Sequence, residues 1–457
     1  MIEAAHLLRF GTNAEKKYVS DFDNSYDVLM LNANIFAHCT NSISKFISSE
    51  LCKKKFIIDP QTYAFQYYQG LIGSNGSLKK SIEKLIEFYG EKLKEIISNQ
   101  KRSIDLTDFD QEDNFLNGLC QNVINFQKNT VKGEALEEKN EYKEYIEYIL
   151  ENDNIDLCIE PCSLIAPYFY LADEDFSQWL RINTKAIELS KRYSNSISAQ
   201  LVINSSILLD KGKLDNLVDE YSKVKPCEIL LWIDNFDEKD VGDVLLNNYL
   251  YLLTKFKKQN IPVSQLYGSY FSLMLINIGL LQACCHGMEY GESRSVFPVG
   301  GGVPISKFYL PMAHKRFHFR NIIQLLLDEG WLESQKIYFE KVCDCPQCRQ
   351  IINDDPESEI QEFGIINTVT NIRKKKSGQE YSVMMSYPTS EAKELCLRHY
   401  LYNKEREYTF IQEHGIDEIM EQLKQAKNTL EEKLGLEILY LSSWIRVISS
   451  YLEQAKI

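Results

Sequence analysis

The sequence predicts an α/β protein built as a (β/α)8 barrel of TIM type, with a helical insertion and a C-terminal cysteine-bearing subdomain. Three observations carry that expectation: eight short apolar runs of strand type, amphipathic helical stretches between most of them, and a tight cysteine cluster after the last run.

The runs fall at residues 28–34, 56–60, 157–161, 200–204, 229–234, 263–268, 281–287 and 308–312. Amphipathic stretches at 176–193, 213–223 and 241–258 lie between several of them. A strand that reads as a continuous apolar run is covered on both faces, and intervening helices supply the covering layer of a parallel sheet. An open doubly wound sheet uses the same elements and is the alternative arrangement. In a barrel, the C-terminal ends of the strands face the active site. Here those ends carry Asn34, Asp59, Glu160, Asn204, Asp234 and His286.

Two segments read as additions. Residues 70–148 are long, charged and mostly helical, with KKSIEKLIEFYGEKLKEII as a clear amphipathic run. Residues 339–457 hold the cysteine cluster, a polar insertion at 371–378, and helical spacing over 416–433 and 436–454. The last two stretches are expected to pack on the chain itself or to form a docking face. The expected domains are therefore 1–338, the barrel with its insertion, and 339–457.

The bulk composition narrows the function classes. The chain has 457 residues, 44% hydrophobic and 25% charged, which supports a full-sized buried core. A net charge of -14 argues against a surface coated for nucleic acid or for anionic membrane, and leaves room only for a local basic groove. The longest apolar region, 272–285, contains Asn277 and is too short to span a bilayer. The N-terminal stretch lacks the basic start and apolar centre of a signal peptide, so a cytoplasmic protein with no membrane partner is expected. Twelve cysteines scattered through such a chain are expected to be reduced.

One cysteine group has ligand spacing. VCDCPQCRQ places thiols at Cys343, Cys345 and Cys348, with Pro346 holding the turn. Zinc takes four soft ligands in a tetrahedron, and closely spaced cysteines supply three at little ordering cost. His399, in LCLRHYLYNKE, is the nearest downstream histidine and the expected fourth ligand; Cys396 competes for the role. Four protein ligands leave no open position, so the zinc is expected to be structural.

A C-x-C-x-x-C group followed by a helical histidine, after a barrel of this size, resembles the tRNA-guanine transglycosylase superfamily, whose members are (β/α)8 barrels with a C-terminal zinc-binding subdomain. The family's Asp-Ser-Gly-Gly-Phe-Gln motif has a counterpart in Asp59-Pro60-Gln61-Thr62-Tyr63-Ala64-Phe65-Gln66, which keeps the Asp and the Phe-Gln but gains two residues and loses the glycines. The family's Gly-Gly-Leu segment is missing, and the expected late-strand Asp is absent from LQACCHGMEYGESR. These departures are most similar to the divergent branch that exchanges guanine for a 7-deazaguanine in DNA, within DNA-modification and phage-defence clusters.

The resemblance implies a glycosyltransferase that acts on nucleic acid, DNA ahead of tRNA, with a 7-deazaguanine base as second substrate. Its protein partners would be other members of a modification cluster, or a second copy of the chain. Asp59 matches the family's acid/base aspartate. From the residues alone, Asp234 in LLWIDNFDE is the candidate nucleophile, because an unpaired charge ending so apolar a strand is costly without a purpose. Asp237, Glu289 and Glu292 are its rivals. Phe65 could stack on the base, and Glu160 could accept hydrogen bonds from the guanine edge. Gln66, Asn204 and His286 complete the candidate substrate-binding set.

Residues 300–302 form a glycine loop. His314, Lys315, Arg316, His318 and Arg320, interleaved with Phe317 and Phe319, make the best basic and aromatic patch, and residues 373–376 a second. Two other readings fit the same residues: a non-catalytic nucleic-acid-binding subunit, or a hydrolase that releases the base without replacing it.

Overall fold

The computed structural model describes residues 6–11, 15–50, 54–109, 113–129, 160–288, 291–297, 305, 307–374 and 378–455. The chain divides into two compact units, Met1–Pro298 and Val299–Ile457.

In the first unit eight parallel strands form a nearly closed barrel. They are β1 (His6–Phe10), β2 (Val28–Asn32), β3 (Lys55–Asp59), β4 (Leu164–Ile165), β5 (Ile197–Asn204), β6 (Ile229–Asp234), β7 (Val263–Leu266) and β8 (Ala283–Gly287). The ladder runs β3-β2-β1-β8-β7-β6-β5-β4. Its two ends meet where the Cys162 N–H donates to the Phe56 carbonyl at 2.9 Å and Ile57 bridges to Ser163.

The count of eight holds, but the membership changes. β1 was not expected, and the run at 308–312 is not a barrel strand. Phe308 lies instead in β9 (Lys307–Leu310), which pairs antiparallel with β10 (Lys315–His318) inside the second unit. That places the boundary between the units near 298 rather than at the expected 338. Most of the run expected at 157–161 lies outside the described residues. Glu160 and Pro161 precede β4 instead of ending a strand.

Alternate residues of each strand point inward and fill the barrel, so it is a packed core and not a pore. Val28 and Met30, Leu230 and Trp232, and Ala283 and Cys285 are three such pairs, all at most 1% exposed. Burying the larger of these side chains stabilises by roughly 1.5–3 kcal/mol each. The outer faces are covered by helices Phe176–Ser190, Lys211–Val224 and Asp243–Lys258, close to the expected spans. The Asp210 carboxylate accepts from the Lys213 N–H and starts the second of these helices, and Lys225, at φ 45°, ends it. Lys255, Lys257 and Lys258 sit in the last turn of the third, where cations complement the helix dipole.

The insertion after β3 holds helices Lys80–Tyr89 and Asn114–Asn129. Tyr89 and Phe126 meet edge to face, and the Tyr89 hydroxyl donates to the Pro60 carbonyl at 2.8 Å. This hydrogen bond ties the insertion to the end of β3.

The close approach of β7 to β8 depends on Gly268. A Cβ there would lie 2.5 Å from Cys284 Sγ and 2.6 Å from Ser272 Oγ. Gly268→Ala is expected to cost about 1–3 kcal/mol, the usual range for overpacking a filled core. Urea unfolding checks this; an unchanged midpoint contradicts it.

The second unit holds two antiparallel pairs, β9/β10 and β11 (Ile366–Lys374) with β12 (Glu380–Pro388), together with helices Ser390–Glu413, Ile416–Leu434 and Leu439–Ala455. Residues 371–374 of the polar insertion are thus the end of β11. The final helix buries Trp444, Val447 and Ile448, so it packs within its own unit.

Candidate functional site

The barrel mouth is built at the C-terminal strand ends, where Asp59 and Asp234 are the last residues of β3 and β6. Each shares the inward parity of its strand, and both are at most 1% exposed. The two carboxylates are reached by phenols two positions apart on one extended segment after β4. Tyr168 Oη donates to Asp59 Oδ1 at 2.6 Å, and Tyr170 Oη donates to Asp234 Oδ2 at 2.8 Å. Burial first, and then these carboxylates, push both phenols well above the ordinary range and keep them protonated donors.

Asp59 is saturated. Arg9 Nη2 meets its Oδ2 at 2.5 Å, with both side chains buried, and the Gln61 N–H donates to Oδ1 at 3.0 Å. Burial opposes the Arg9 charge, but Tyr267 and Asp59 hold it cationic. The environment of Asp234 is different. Besides Tyr170 it accepts from the Val296 N–H at 2.7 Å, and from Ser295 Oγ and Asn235 Nδ2 at 3.3 Å each. All of these donors are neutral. The segment that brings Ser295 and Val296 lies over Asp234, and Lys239 pins its start by pairing with Asp237 at 3.1 Å and Glu292 at 2.9 Å. Both described rivals for the nucleophile are therefore engaged; Glu289 lies outside the described residues.

The remaining predicted residues divide. Asn204 is at the mouth, where its Nδ2 donates to Tyr170 Oη at 2.7 Å. Gln66 clamps the backbone of Tyr170 through both amide atoms, a positioning contact. Phe65 is fully buried, with its ring edge-on to Tyr89. Two assignments are corrected. Glu160 is exposed and precedes β4, which puts it at the end of the barrel away from the mouth. His286 has outward parity on β8 and packs its Nε2 2.8 Å from His6 Nε2, so it does not face the mouth.

Sequence reasoning missed Arg9, Tyr168, Tyr170 and Arg294. The last has its Nη1 donating to Tyr267 Oη at 3.0 Å, its carbonyl accepting from Trp232 Nε1 at 3.0 Å, and its guanidinium over the Trp232 and Tyr267 rings. The alternating tyrosines of PYFYLAD were the available signal.

The second unit carries the metal-ligand group. Cys345 caps the short helix Pro346–Ile351, with Pro346 at its first position, and its Sγ accepts from the Cys348 N–H at 3.4 Å. The Cys345 N–H in turn donates to Cys343 Sγ at 3.4 Å. His399, fully buried on Ser390–Glu413, directs Nδ1 to within 3.4 Å of Cys345 Sγ and 3.3 Å of Cys348 Sγ. Its Nε2 is 2.7 Å from the Tyr309 carbonyl, which fixes the proton there and leaves Nδ1 as the ligand atom. Hydrogen bonds from Cys345 and Cys348 hold the Cys343 thiol well below its ordinary range. The four ligand atoms lie within 4.8 Å of one another, so the group can hold one metal ion. The rival Cys396 instead donates to the Phe363 carbonyl.

The first basic patch is structural in part, while its His318 and Arg320 are exposed. His314 pairs with buried Glu407 at 2.6 Å, Arg316 lies 3.4 Å over the Tyr400 ring, and Phe317 and Phe319 are buried. Residues 300–302 and 375–376 lie outside the described residues. Among the described residues no helix is long and apolar enough to cross a membrane.

The fold and site define a class: an eight-stranded parallel α/β barrel with a carboxylate-bearing mouth, joined to a unit with a metal-capable three-cysteine, one-histidine group. Comparison with protein-family models, curated proteins and solved structures gives no match.

Proposed function

We propose that this chain exchanges a guanine in nucleic acid, DNA ahead of tRNA, for a 7-deazaguanine base. The supporting observation is the pair of buried carboxylates, Asp59 and Asp234, ending β3 and β6 at one barrel mouth. Asp234 suits the nucleophile because its buried carboxylate is met only by neutral donors, an arrangement costly to keep without a use. In the first step Asp234 Oδ bonds to the sugar C1′ as the C1′–N9 bond breaks, and guanine leaves with that electron pair and takes up a proton from the acid/base group that the second step reprotonates. In the second, N9 of the incoming base attacks C1′, the ester bond returns its electrons to Asp234, and the N9 proton passes to an acid/base group. Asp59 and Tyr168 are assigned that transfer, and the double displacement follows the logic of retaining glycosidases.

The metal is assigned as zinc, bound by Cys343, Cys345, Cys348 and His399 in a closed structural site. Reduced thiols fit a cytoplasmic protein, and the reaction fits a DNA-modification system of phage-defence type. Its partners would be a strand-opening protein or a second copy of the chain.

Incubation with labelled 7-deazaguanine and either DNA or tRNA tests the reading. Incorporation is expected with DNA, and Asp234→Ala is expected to lower it on the order of 10³-fold or more. A second reading, a non-catalytic nucleic-acid-binding subunit, is favoured by the saturation of Asp59 and the cover over Asp234. Tight polymer binding with no incorporation selects it, and guanine release without incorporation selects a hydrolase.

A further inference from the structure

A cavity of about 140 Å³ opens at the barrel mouth beside Asp234. Its walls come from separate pieces of chain: the start of the helix Ala33–His38 after β2, the segment after β3 with the start of the insertion, and the segment 294–297. Val296 joins it to the carboxylate, since it lines the cavity while its N–H donates to Asp234 Oδ1 at 2.7 Å.

Three independent features of this cavity call for a ligand of one kind. The first is an unmet acceptor. Asn34 lines the cavity, and its buried Oδ1 has no hydrogen-bond partner among the described residues. A buried acceptor left unmet costs roughly 1–3 kcal/mol, and a ligand N–H would satisfy it. The second is charge. Among the described residues the lining includes Arg294 and Lys79 and no carboxylate. Both cations are exposed; Arg294 donates to Tyr267 Oη and Lys79 to the Gly70 carbonyl, and among the described residues neither pairs with an acid. In a chain with a net charge of -14, two cations left without acids at one opening mark a place for an anion. The third is aromatic surface. Tyr67 and Phe297 are 41% and 39% exposed and meet edge to face at 4.8 Å on the rim. Exposed rings of this kind stack nucleobases, at about 1–3 kcal/mol per base.

We infer that this cavity is a nucleotide subsite, taking one base against Asn34, Tyr67 and Phe297 and its phosphate against Arg294 and Lys79. The volume is below the ~300–1,000 Å³ of drug-sized sites, so it takes the base alone, and the sugar and phosphate of that one nucleotide unit lie at the open rim beside the cations. The unit is either a free nucleotide or one residue of a single strand. The choice of guanine as the probe base rests on the proposed function; the subsite itself does not.

Calorimetry with guanosine 5′-monophosphate, guanosine and inorganic phosphate tests the subsite on the full chain. The monophosphate is expected to bind at least about tenfold more tightly than guanosine. Arg294→Gln is expected to erase that difference and leave guanosine affinity unchanged. Asn34→Ala is expected to weaken guanosine and its monophosphate alike, by about fivefold to tenfold. An unchanged thermal midpoint shows that each variant is folded; for a variant that does not fold, Lys79→Gln replaces Arg294→Gln and makes the same prediction. A single-stranded oligodeoxynucleotide with one guanine distinguishes the sources, because it outbinds the monophosphate only if the natural ligand is a strand. Equal affinity for guanosine and its monophosphate overturns the subsite, as does monophosphate binding that neither cation's removal weakens. Failure of base incorporation with this binding pattern intact removes the exchange reaction and leaves the subsite standing. Incorporation without the pattern does the reverse.

Discussion

Cys345→Ser is expected to abolish metal binding and to unfold the second unit. Cys345 is fully buried, lies at the first turn of Pro346–Ile351, and accepts the Cys348 N–H at 3.4 Å. Around it, Cys343 and Cys348 come from the same turn and His399 from a helix more than fifty positions on, so one ion would close a long loop. Apparent binding energies of structural zinc reach about 10–16 kcal/mol in small domains, and much of that is folding energy. Loss of one thiolate from a closed four-ligand site is expected to remove several kcal/mol of it, more than any single apolar deletion in this unit. Elemental analysis would show about one metal ion per chain falling to none, with early proteolysis confined to residues after 299. Cys396→Ser provides the contrast. That thiol is buried on the same helix as His399 and bonds to the Phe363 carbonyl instead, so the variant should keep its metal. A Cys345→Ser protein with wild-type metal content and melting behaviour would show that the cluster is only three buried thiols beside a histidine.

The ligand set was legible in the sequence because most of it is local. Three cysteines within six positions can meet only one another, and only His399 had to be brought in from a distance. β2, β5 and β6 were legible for a similar reason, since a strand covered on both faces must be apolar throughout. β1 was hidden because Arg9 breaks its apolar run, and the carboxylate that makes Arg9 acceptable lies 50 positions away on β3. The run at 308–312 failed in the opposite way: it has the local pattern of a barrel strand, but pairing partners decide the sheet, and β10 is its neighbour in sequence. The mouth was only half legible. Strand-ending carboxylates follow from position, whereas the tyrosines and Arg294 acquire their roles from loops that converge only in the folded chain.

Arg9→Met is expected to cost about 3–5 kcal/mol, because it leaves the Asp59 charge in the barrel interior without its cation. Methionine matches the stem of arginine, so the loss reports the charge and not a cavity. Tyr168, the Gln61 N–H and Gln200 would remain around Asp59, at 2.6, 3.0 and 3.5 Å, and neutral donors at these distances offset only part of the penalty. Adding Asp59→Asn is expected to recover most of the stability, since buried pairs replaced as a pair are often neutral or better. Urea unfolding of the two single variants and the double variant gives the coupling directly. A single variant that loses less than about 1 kcal/mol would mean that Asp59 does not need Arg9 to remain buried. The double variant also bears on chemistry. If it is as stable as the parent and still incorporates base, Asp59 is a packing residue and Asp234 works with another proton carrier. If it is stable and inactive, the ion pair is the means by which the barrel keeps a carboxylate in its mouth, and Arg9 is the positioning residue that holds it there.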